Sequence, residues 1–127
     1  MTKDLNEPKN LSDITRATLM RHLNAFTEQD METLISDYTE ESVMMTPQGT
    51  FTGPREIEGF FRELMLYFPK QQFTFELDQT VVVDELLLIV WHAKTPRVVV
   101  PFATDTFMMK KGKIFRQTFA GELNFVS

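Results

Sequence analysis

Residues 22–47, HLNAFTEQDMETLISDYTEESVMMTP, set the frame for the rest of the chain. The stretch begins inside an amphipathic helix, breaks, and continues into a second short helix over about residues 31–38, with Asp30 as its N-cap. After a turn signal at residues 40–42, a short strand ends at Pro47. Helices that lead directly into a strand predict that they pack on a sheet supplied by the following residues.

The flanking residues add two helices to this frame. Ser12 is the predicted N-cap of the first helix, which runs to about residue 27, and residues 1–11 are predicted to be a flexible arm. Gly53-Pro54 opens a third helix that ends at Pro69, because proline is tolerated in the first helical turn and disfavoured inside a helix. The remainder, residues 12–127, is predicted to be a single domain.

From Phe73 onward the spacing of apolar residues changes from that of a helix to that of strands. Short turn signals, of which Asp84-Glu85 and Lys111-Gly112 are the clearest, divide this part of the chain. The four predicted strands cover about residues 73–83, 86–95, 97–109 and 113–125. Long strands with short connections predict an antiparallel meander, and helices followed by such a sheet predict the α+β class.

Composition excludes several classes of function. The net charge of -5 argues against a nucleic-acid partner, which needs clustered Lys and Arg. The chain has no cysteine, its two histidines are seventy positions apart, and it has no glycine-rich phosphate loop, so we expect neither a metal nor another cofactor. No apolar stretch reaches the roughly 18 residues of a membrane span, and the first residues lack a signal-peptide core. We therefore expect a cytoplasmic protein without a membrane partner.

The order of several short motifs resembles the nuclear transport factor 2-like superfamily, which includes ketosteroid isomerases and SnoaL-like cyclases. The similarity covers about residues 12–125. The residues that carry it are Asn24-Ala25-Phe26, Asp30-Met31-Glu32, Tyr38, Pro47, Gly49, Gly53, Ile57, Phe60-Phe61, Asp105-Thr106-Phe107, Gly112-Lys113-Ile114 and Phe119-Ala120-Gly121-Glu122.

The resemblance implies a fold and a place for a site. The expected fold is a cone-shaped, curved antiparallel sheet wrapped around three N-terminal helices, also called cystatin-like, with an apolar cavity at its open end. Members of this superfamily are commonly homodimers. In ketosteroid isomerases, the position of His22 carries the oxyanion-hole tyrosine, that of Asp105 a protonated aspartic acid, and that of Thr46 the general-base aspartate.

Thr46 departs from the isomerase pattern in the way that matters most. Steroid isomerisation needs a carboxylate that moves a proton between carbons, and a threonine hydroxyl is not a base near neutral pH. The sequence therefore predicts that the protein is not a Δ5-3-ketosteroid isomerase. His22 and Asp105 remain as a candidate catalytic pair for acid–base chemistry on a hydrophobic carbonyl-type substrate, of isomerase or lyase type.

The other candidate residues are predicted to bind the substrate. Trp91 is expected to line the cavity, and its strand neighbour His92 to lie on the outer face or in a dimer contact, because adjacent strand residues point to opposite faces. The predicted substrate-binding residues are Tyr38, Met44, Thr46, Phe60, Trp91 and Phe107. Three of the candidates also have a purely structural interpretation. His22 and Tyr38 can be interior residues with one hydrogen bond, and Asp105 can be a carboxylate that faces water or a partner.

Three functions fit these residues. The first is the small-molecule isomerase or lyase described above. The second is a protein that binds a small apolar molecule without turning it over, which Thr46 in the base position favours. The third is a protein-interaction module whose cavity is vestigial. The first predicts an activity that is lost in His22→Ala and Asp105→Ala, and the second predicts binding that survives both changes.

Overall fold

The computed structural model describes residues 10–126, and most of the predicted N-terminal arm, residues 1–9, lies outside this range. Three helices come first, interrupted by a hairpin: α1 (Leu11–Thr27), α2 (Met31–Ile35), β1 (Tyr38–Thr46), β2 (Gly49–Thr52) and α3 (Gly53–Met65). Four long strands follow: β3 (Thr74–Val83), β4 (Leu86–Lys94), β5 (Val98–Lys110) and β6 (Lys113–Phe125). The predicted α+β class and its element order are confirmed.

The six strands form one curved, unclosed sheet in the order β2-β1-β6-β5-β4-β3. All neighbours are antiparallel except β1 and β6, which run parallel because β1 is inserted beside the last strand of the meander. Register shifts interrupt the pairing of β3, β4 and β5, and such bulges bend a sheet. The curvature makes the concave face that receives the helices.

Gly121 allows the closest approach within this bend. It lies opposite Ala103 on β5, beside the register shift between Val99 and Phe102. A Cβ atom at Gly121 would lie 2.7 Å from the Ala103 Cβ, which is closer than two such atoms can pack. A residue without a side chain is therefore required where β5 and β6 curve together.

Helix α1 places one face against the concave side of the sheet. Its buried residues recur every three or four positions: Thr15, Thr18, Leu19, His22, Ala25 and Phe26. Helix α3 buries Ile57 and Phe61 on the same core. Because the sheet buries alternate residues of β4 and β5 on this side, helices and strands close one continuous hydrophobic core.

Several predicted boundaries are wrong, each for a local reason. The N-cap of α1 is Asn10, whose side chain accepts from the Asp13 amide, whereas the Ser12 hydroxyl accepts from the Asp84 amide at 2.9 Å. Helix α3 ends at Met65 because the next residues form tighter i→i+3 hydrogen bonds. The predicted Asp30 cap of α2 is confirmed, since its side chain accepts from the Thr33 amide.

The largest boundary error is the start of β1, which begins at Tyr38 and not at residue 43. The predicted turn at residues 40–42 is an irregularity within the strand, where its pairing with β6 shifts. Ser42 stabilises this irregularity, because its hydroxyl accepts from the Thr39 amide and donates to the Ile114 carbonyl. As a result Tyr38 is held by β6 at one end of the sheet and does not end a helix.

Candidate functional site

A small cavity lies between the helices and the concave face of the sheet. Its volume is about 50 Å³, room for a few water molecules or a small organic group. Most of its wall is apolar, and three lining residues bring hydrogen-bonding side chains that are central to the site: His22, Asp105 and Gln117. The remaining lining residues are Leu23, Phe26, Phe60, Phe61, Leu64, Phe75, Ile89, Trp91, Phe107 and Phe119. A polar spot in an apolar cavity is the usual arrangement of a small-molecule site.

Asp105 points into this cavity from β5. Alternation along the strand places Asp105 on the buried side with Ala103 and Phe107. Its Oδ1 atom accepts from the Trp91 indole N–H at 2.8 Å, and its Oδ2 atom accepts from the Gln117 amide at 2.9 Å. Burial raises the pKa of Asp105 to about 7, against the opposing effect of these two hydrogen bonds. The carboxyl group can therefore gain or lose a proton near neutral pH.

His22 reaches the cavity from α1 and is 3% exposed. Its Nδ1 atom lies 3.0 Å from Oδ2 of Asp37, and its Nε2 atom lies 3.3 Å from the Tyr38 hydroxyl. The guanidinium of Arg21 binds the other oxygen of Asp37. Burial by itself raises the pKa of Asp37, but the hydrogen bonds and charges of His22 and Arg21 outweigh it, so the pKa lies below its ordinary value. Both ring nitrogens of His22 are thus occupied by protein groups.

Tyr38 and Gln117 connect these two ends. The Tyr38 hydroxyl donates to Oε1 of Gln117 at 2.5 Å, and the amide nitrogen of Gln117 donates to Asp105. Burial, with the nearby carboxylates of Asp105 and Asp37, raises the pKa of Tyr38 well above its ordinary value, so the phenol keeps its proton. The result is an unbroken series of hydrogen bonds, here called the inner polar chain: Arg21, Asp37, His22, Tyr38, Gln117, Asp105 and Trp91.

The structure brings together most of the residues predicted from the sequence, though not all. His22 and Asp105 both line the cavity and are joined through Tyr38 and Gln117. The predicted substrate-binding residues Phe60, Trp91 and Phe107 are in the cavity wall. Tyr38 contributes its hydroxyl to the inner polar chain from behind this wall.

Met44 and Thr46 lie elsewhere. Met44 is fully buried in the hydrophobic core and is not in the cavity wall. The Thr46 hydroxyl donates to the Gly49 carbonyl at 3.2 Å and accepts from the Gln48 amide at 3.1 Å, so it stabilises the turn between β1 and β2. Thr46, which the resemblance aligns with the general base of ketosteroid isomerases, is therefore a turn residue in this structure.

Sequence reasoning missed three members of the inner polar chain: Arg21, Asp37 and Gln117. Asp37 precedes the first strand directly, and Gln117 is a polar residue on the buried side of β6, two positions before Phe119. A buried amide or carboxylate in an otherwise apolar strand pattern is a usable signal, because it must find a partner. The partners of Gln117 and Asp37 depend on the parallel pairing of β1 with β6, which the spacing of residues does not reveal.

His92 lies on the opposite face of the sheet from its neighbour Trp91. Its Nδ1 atom lies 2.8 Å from an oxygen of Asp78, and its Nε2 atom lies 3.3 Å from Glu76. The hydrogen bond to Asp78, together with the charges of Asp78 and Glu76, raises the pKa of His92. Glu76, Asp78 and His92 are here called the outer cluster.

Two further features of the described chain bear on function. Among residues 10–126, no three His, Asp or Glu side chains are grouped so that they could hold a metal ion. None of the helices in this range is long and apolar enough to cross a membrane.

The sequence matches the SnoaL-like domain family over residues 19–117. The chain belongs to this family. The match begins within α1 and ends within β6, so it includes the whole inner polar chain and every cavity-lining residue except Phe119. A comparison with curated proteins finds no match.

Solved structures with this fold are similar over most of their length. A protein from a soil-derived mobile gene cassette has a TM-score of 0.75 and 19% identity, covering 90% of this chain and 92% of that one. A candidate ketosteroid isomerase from Kribbella flavida has a TM-score of 0.74 and 11% identity, covering 93% and 84%. An M. tuberculosis epoxide hydrolase-like protein has a TM-score of 0.69 and 13% identity, covering 87% and 84%. At these identities the similarity shows the nuclear transport factor 2-like fold alone.

Proposed function

We propose that the cavity binds a small molecule with a carbonyl-type group and that Asp105 exchanges a proton with it, in a reaction of isomerase or lyase type. The observation that carries the proposal is the state of Asp105, a buried carboxyl at an apolar cavity whose pKa is raised to about 7. A group that titrates near the working pH is suited to both taking and giving a proton.

The contacts of Asp105 leave it free to act. Each carboxyl oxygen accepts one N–H, from Trp91 or from Gln117, and an oxygen of this kind has a second lone pair. That lone pair can meet a proton α to a substrate carbonyl, or the protonated form can donate to the carbonyl oxygen. His22, whose nitrogens are engaged with Asp37 and Tyr38, acts on the substrate through the inner polar chain and with its ring as part of the wall.

The size of the cavity limits the substrate class. Sites for drug-sized molecules typically measure roughly 300–1,000 Å³, whereas this cavity measures about 50 Å³. The ligand is therefore a small apolar carbonyl compound, or the reacting end of a longer one. With Thr46 held in a turn, the protein has no carboxylate at the steroid-isomerase base position, which supports a reaction other than steroid isomerisation.

A second function is favoured because the polar groups of the site already have hydrogen-bond partners within the protein. Within the described residues, every buried side-chain nitrogen or oxygen already has a hydrogen-bond partner. A protein that binds a small apolar ligand without turning it over needs nothing more from its polar residues. This alternative predicts that ligand affinity survives changes at Asp105.

Deuterium exchange distinguishes the two functions without knowledge of the natural substrate. Small ketones and β-hydroxy ketones are incubated with the protein in D₂O, and the loss of α-proton signals is followed by NMR. The proposal predicts protein-dependent exchange that falls by about 100-fold or more in Asp105→Asn, the usual loss of a general base. Asp78→Asn, a change on the outer face of the sheet, is the matched control and should leave the rate unchanged. Binding of a ketone without exchange, or equal exchange in Asp105→Asn, would overturn the catalytic proposal.

We also propose that the protein is a homodimer in the cytoplasm. Apolar residues are exposed side by side on the convex face of β3, β4 and β5, where Val81 pairs with Leu88, Val83 with Leu86, and Leu86 with Met108. An exposed apolar face of this kind is typical of a self-complementary interface. Light scattering on the wild type should give about twice the chain mass, and Leu88→Lys should give the monomer mass. A monomeric wild type would favour the interaction-module alternative, with this face as the docking surface.

A further inference from the structure

Gln117 lies between the two groups that can carry a charge in the cavity wall. Its Oε1 atom accepts from Tyr38 at 2.5 Å and its Nε2 atom donates to Asp105 at 2.9 Å. A carboxamide has an acceptor on one side and a donor on the other, and a half-turn exchanges them with almost no change in shape. The orientation of this amide therefore sets the direction of its hydrogen bonds to Tyr38 and Asp105 and, through Tyr38, of the bond to His22.

The orientation in the structure is consistent with one arrangement of protons on its neighbours. Because Tyr38 has one proton and donates it to Gln117, its oxygen can only accept from Nε2 of His22. Because the Asp37 carboxylate accepts, Nδ1 of His22 also carries a proton. His22 is then an imidazolium, and Asp105, which accepts from both Gln117 and Trp91, is a carboxylate.

Turning the Gln117 amide gives a second arrangement that is equally satisfied. Oε1 of Gln117 then accepts from a protonated Asp105, its Nε2 donates to Tyr38, and Tyr38 donates to Nε2 of a neutral His22. One proton has left His22 and one has bound Asp105, so the total number of protons is unchanged. The two protons exchange through the cavity, with water or a bound ligand, because an amide turns and does not ionise near neutral pH.

We propose that Gln117 is a positioning residue that makes His22 and Asp105 share a single proton. The inference deepens the proposed function, on which its catalytic meaning rests: Asp105 is ready as a base when His22 holds the proton and as an acid when it does not. A ligand that takes the proton from Asp105, or gives one to it, would then reverse the hydrogen bonds from Asp105 as far as His22.

The other protonation states each lose a hydrogen bond. If both groups are protonated and Asp105 donates to Gln117, His22 and Gln117 both direct an N–H at the Tyr38 oxygen, and the Tyr38 proton has no acceptor within the inner polar chain. If the Asp105 proton points into the apolar cavity instead, that proton has no protein acceptor. If neither is protonated, Tyr38 can satisfy only one of His22 and Gln117. An unsatisfied buried polar group destabilises a protein, and no described buried side-chain group is unsatisfied in this structure. The single-proton states are therefore favoured over their neighbours.

The other titratable groups around the cavity do not take part in the proton exchange between His22 and Asp105. Arg21 on α1 and Asp37 before β1 form a fixed ion pair at one end, and the pKa of Asp37 is lowered. Tyr38 on β1 keeps its proton because its pKa is raised. From α3, β3 and β4 the cavity wall presents apolar or neutral side chains: Phe60, Phe61, Leu64, Phe75, Ile89 and Trp91.

The chain carries its own reporters for a test. Trp91 is the only tryptophan, and its indole N–H donates to Asp105. The ring nitrogens of His22 report its own proton, and His92, the only other histidine, lies in the outer cluster. A ¹⁵N NMR titration of the free wild type therefore follows Asp105 and His22 separately and needs neither ligand nor turnover.

Shared occupancy predicts common midpoints. Coupled groups titrate in macroscopic steps that belong to the pair, so the Trp91 indole signal and the His22 ring signals should change at the same pH values. Gln117→Met, which keeps the volume and removes both hydrogen bonds, should separate the two midpoints by about one pH unit or more. The midpoint of His92 should stay where it is in both proteins.

Different midpoints for Trp91 and His22 in the wild type overturn the proposal by themselves, even if the variant does not fold. Common midpoints that persist in Gln117→Met overturn it as well. The deuterium-exchange assay can fail while these midpoints coincide, in which case the relay exists without the proposed reaction. The NMR titration therefore tests the shared proton, the deuterium-exchange assay tests the proposed reaction, and either can fail without the other.

Discussion

The two histidines of this chain have the same kind of partner in opposite environments. His22 in the inner polar chain and His92 in the outer cluster each bring Nδ1 to a carboxylate, at 3.0 Å from Asp37 and 2.8 Å from Asp78. The inner side chains are 4% and 0% exposed, whereas the outer ones are 41% and 42% exposed. Distance alone would rank the outer pair first.

Burial reverses that ranking. Water solvates the outer cluster whether or not its hydrogen bonds form, so an exposed ion pair contributes little. A member of the inner polar chain that loses its partner has no water to replace it. The loss of stability when a contact is broken therefore depends on whether water can replace the missing partner. The predictions below substitute matched residues in the two regions.

The largest contrast is expected between Asp105→Asn and Asp78→Asn as a function of pH. An asparagine resembles the protonated aspartic acid, so the first variant removes the titration of a carboxyl whose pKa is about 7 when folded. Between about pH 4 and pH 7 the folded wild type holds a proton that the unfolded chain has released, so wild-type stability falls as pH rises. Each unit of pKa is worth about 1.4 kcal/mol.

The free energy of unfolding of Asp105→Asn should therefore exceed that of the wild type by up to about 4 kcal/mol at pH 9, with little difference near pH 3. Urea unfolding of both proteins at several pH values measures the gain. The same experiment on Asp78→Asn should show no comparable trend. A difference between Asp105→Asn and wild type that is constant with pH would mean that Asp105 is already ionised in the folded state at acid pH.

The second contrast removes each histidine. His22→Ala removes one hydrogen-bond partner from Asp37 and one from Tyr38, which keep Arg21 and Gln117, and it opens space beside the cavity. Changes of this kind cost about 2–4 kcal/mol. His92→Ala removes a side chain that water can replace, and its unfolding midpoint should match that of the wild type. Both are measured by urea unfolding at pH 7. Equal destabilisation by the two changes would contradict the role assigned to burial.

The fold could be predicted from this sequence because its signals are local and repeated. The change in apolar spacing at Phe73, the turn at Lys111-Gly112 and the Asp30 cap each act within a few residues, and all agree on one arrangement. The start of β1 could not be predicted, because residues 40–42 form a polar cluster that indicates a turn. In the structure the parallel partner β6 holds them in an irregular strand.

The candidate site was predictable in part for the same reason. Asp105 and Phe107 share a face by simple alternation, and His22 lies on the buried face of α1 by helical spacing. Gln117 and Asp37 depend on which strand pairs with which and in what register, information that is spread over the whole chain. Thr46 is the opposite case. The resemblance aligns it with a catalytic position, but in the structure its hydroxyl binds the Gly49 carbonyl within the hairpin turn.

The smallest contrast concerns salt. Hydrogen bonding to Asp78, with the charges of Asp78 and Glu76, raises the pKa of His92, so the outer cluster stabilises the fold below the ordinary histidine pKa of about 6.5 and loses that contribution as pH rises through the folded pKa. Raising the salt concentration from about 0.01 M to 1 M shortens the screening length from about 30 Å to 3 Å. The midpoint of His92, followed by NMR of its ring carbons, should then fall toward its ordinary value. The Trp91 indole midpoint should stay fixed, because Trp91 and Asp105 are buried, and a joint movement of both midpoints would show that salt reaches the cavity.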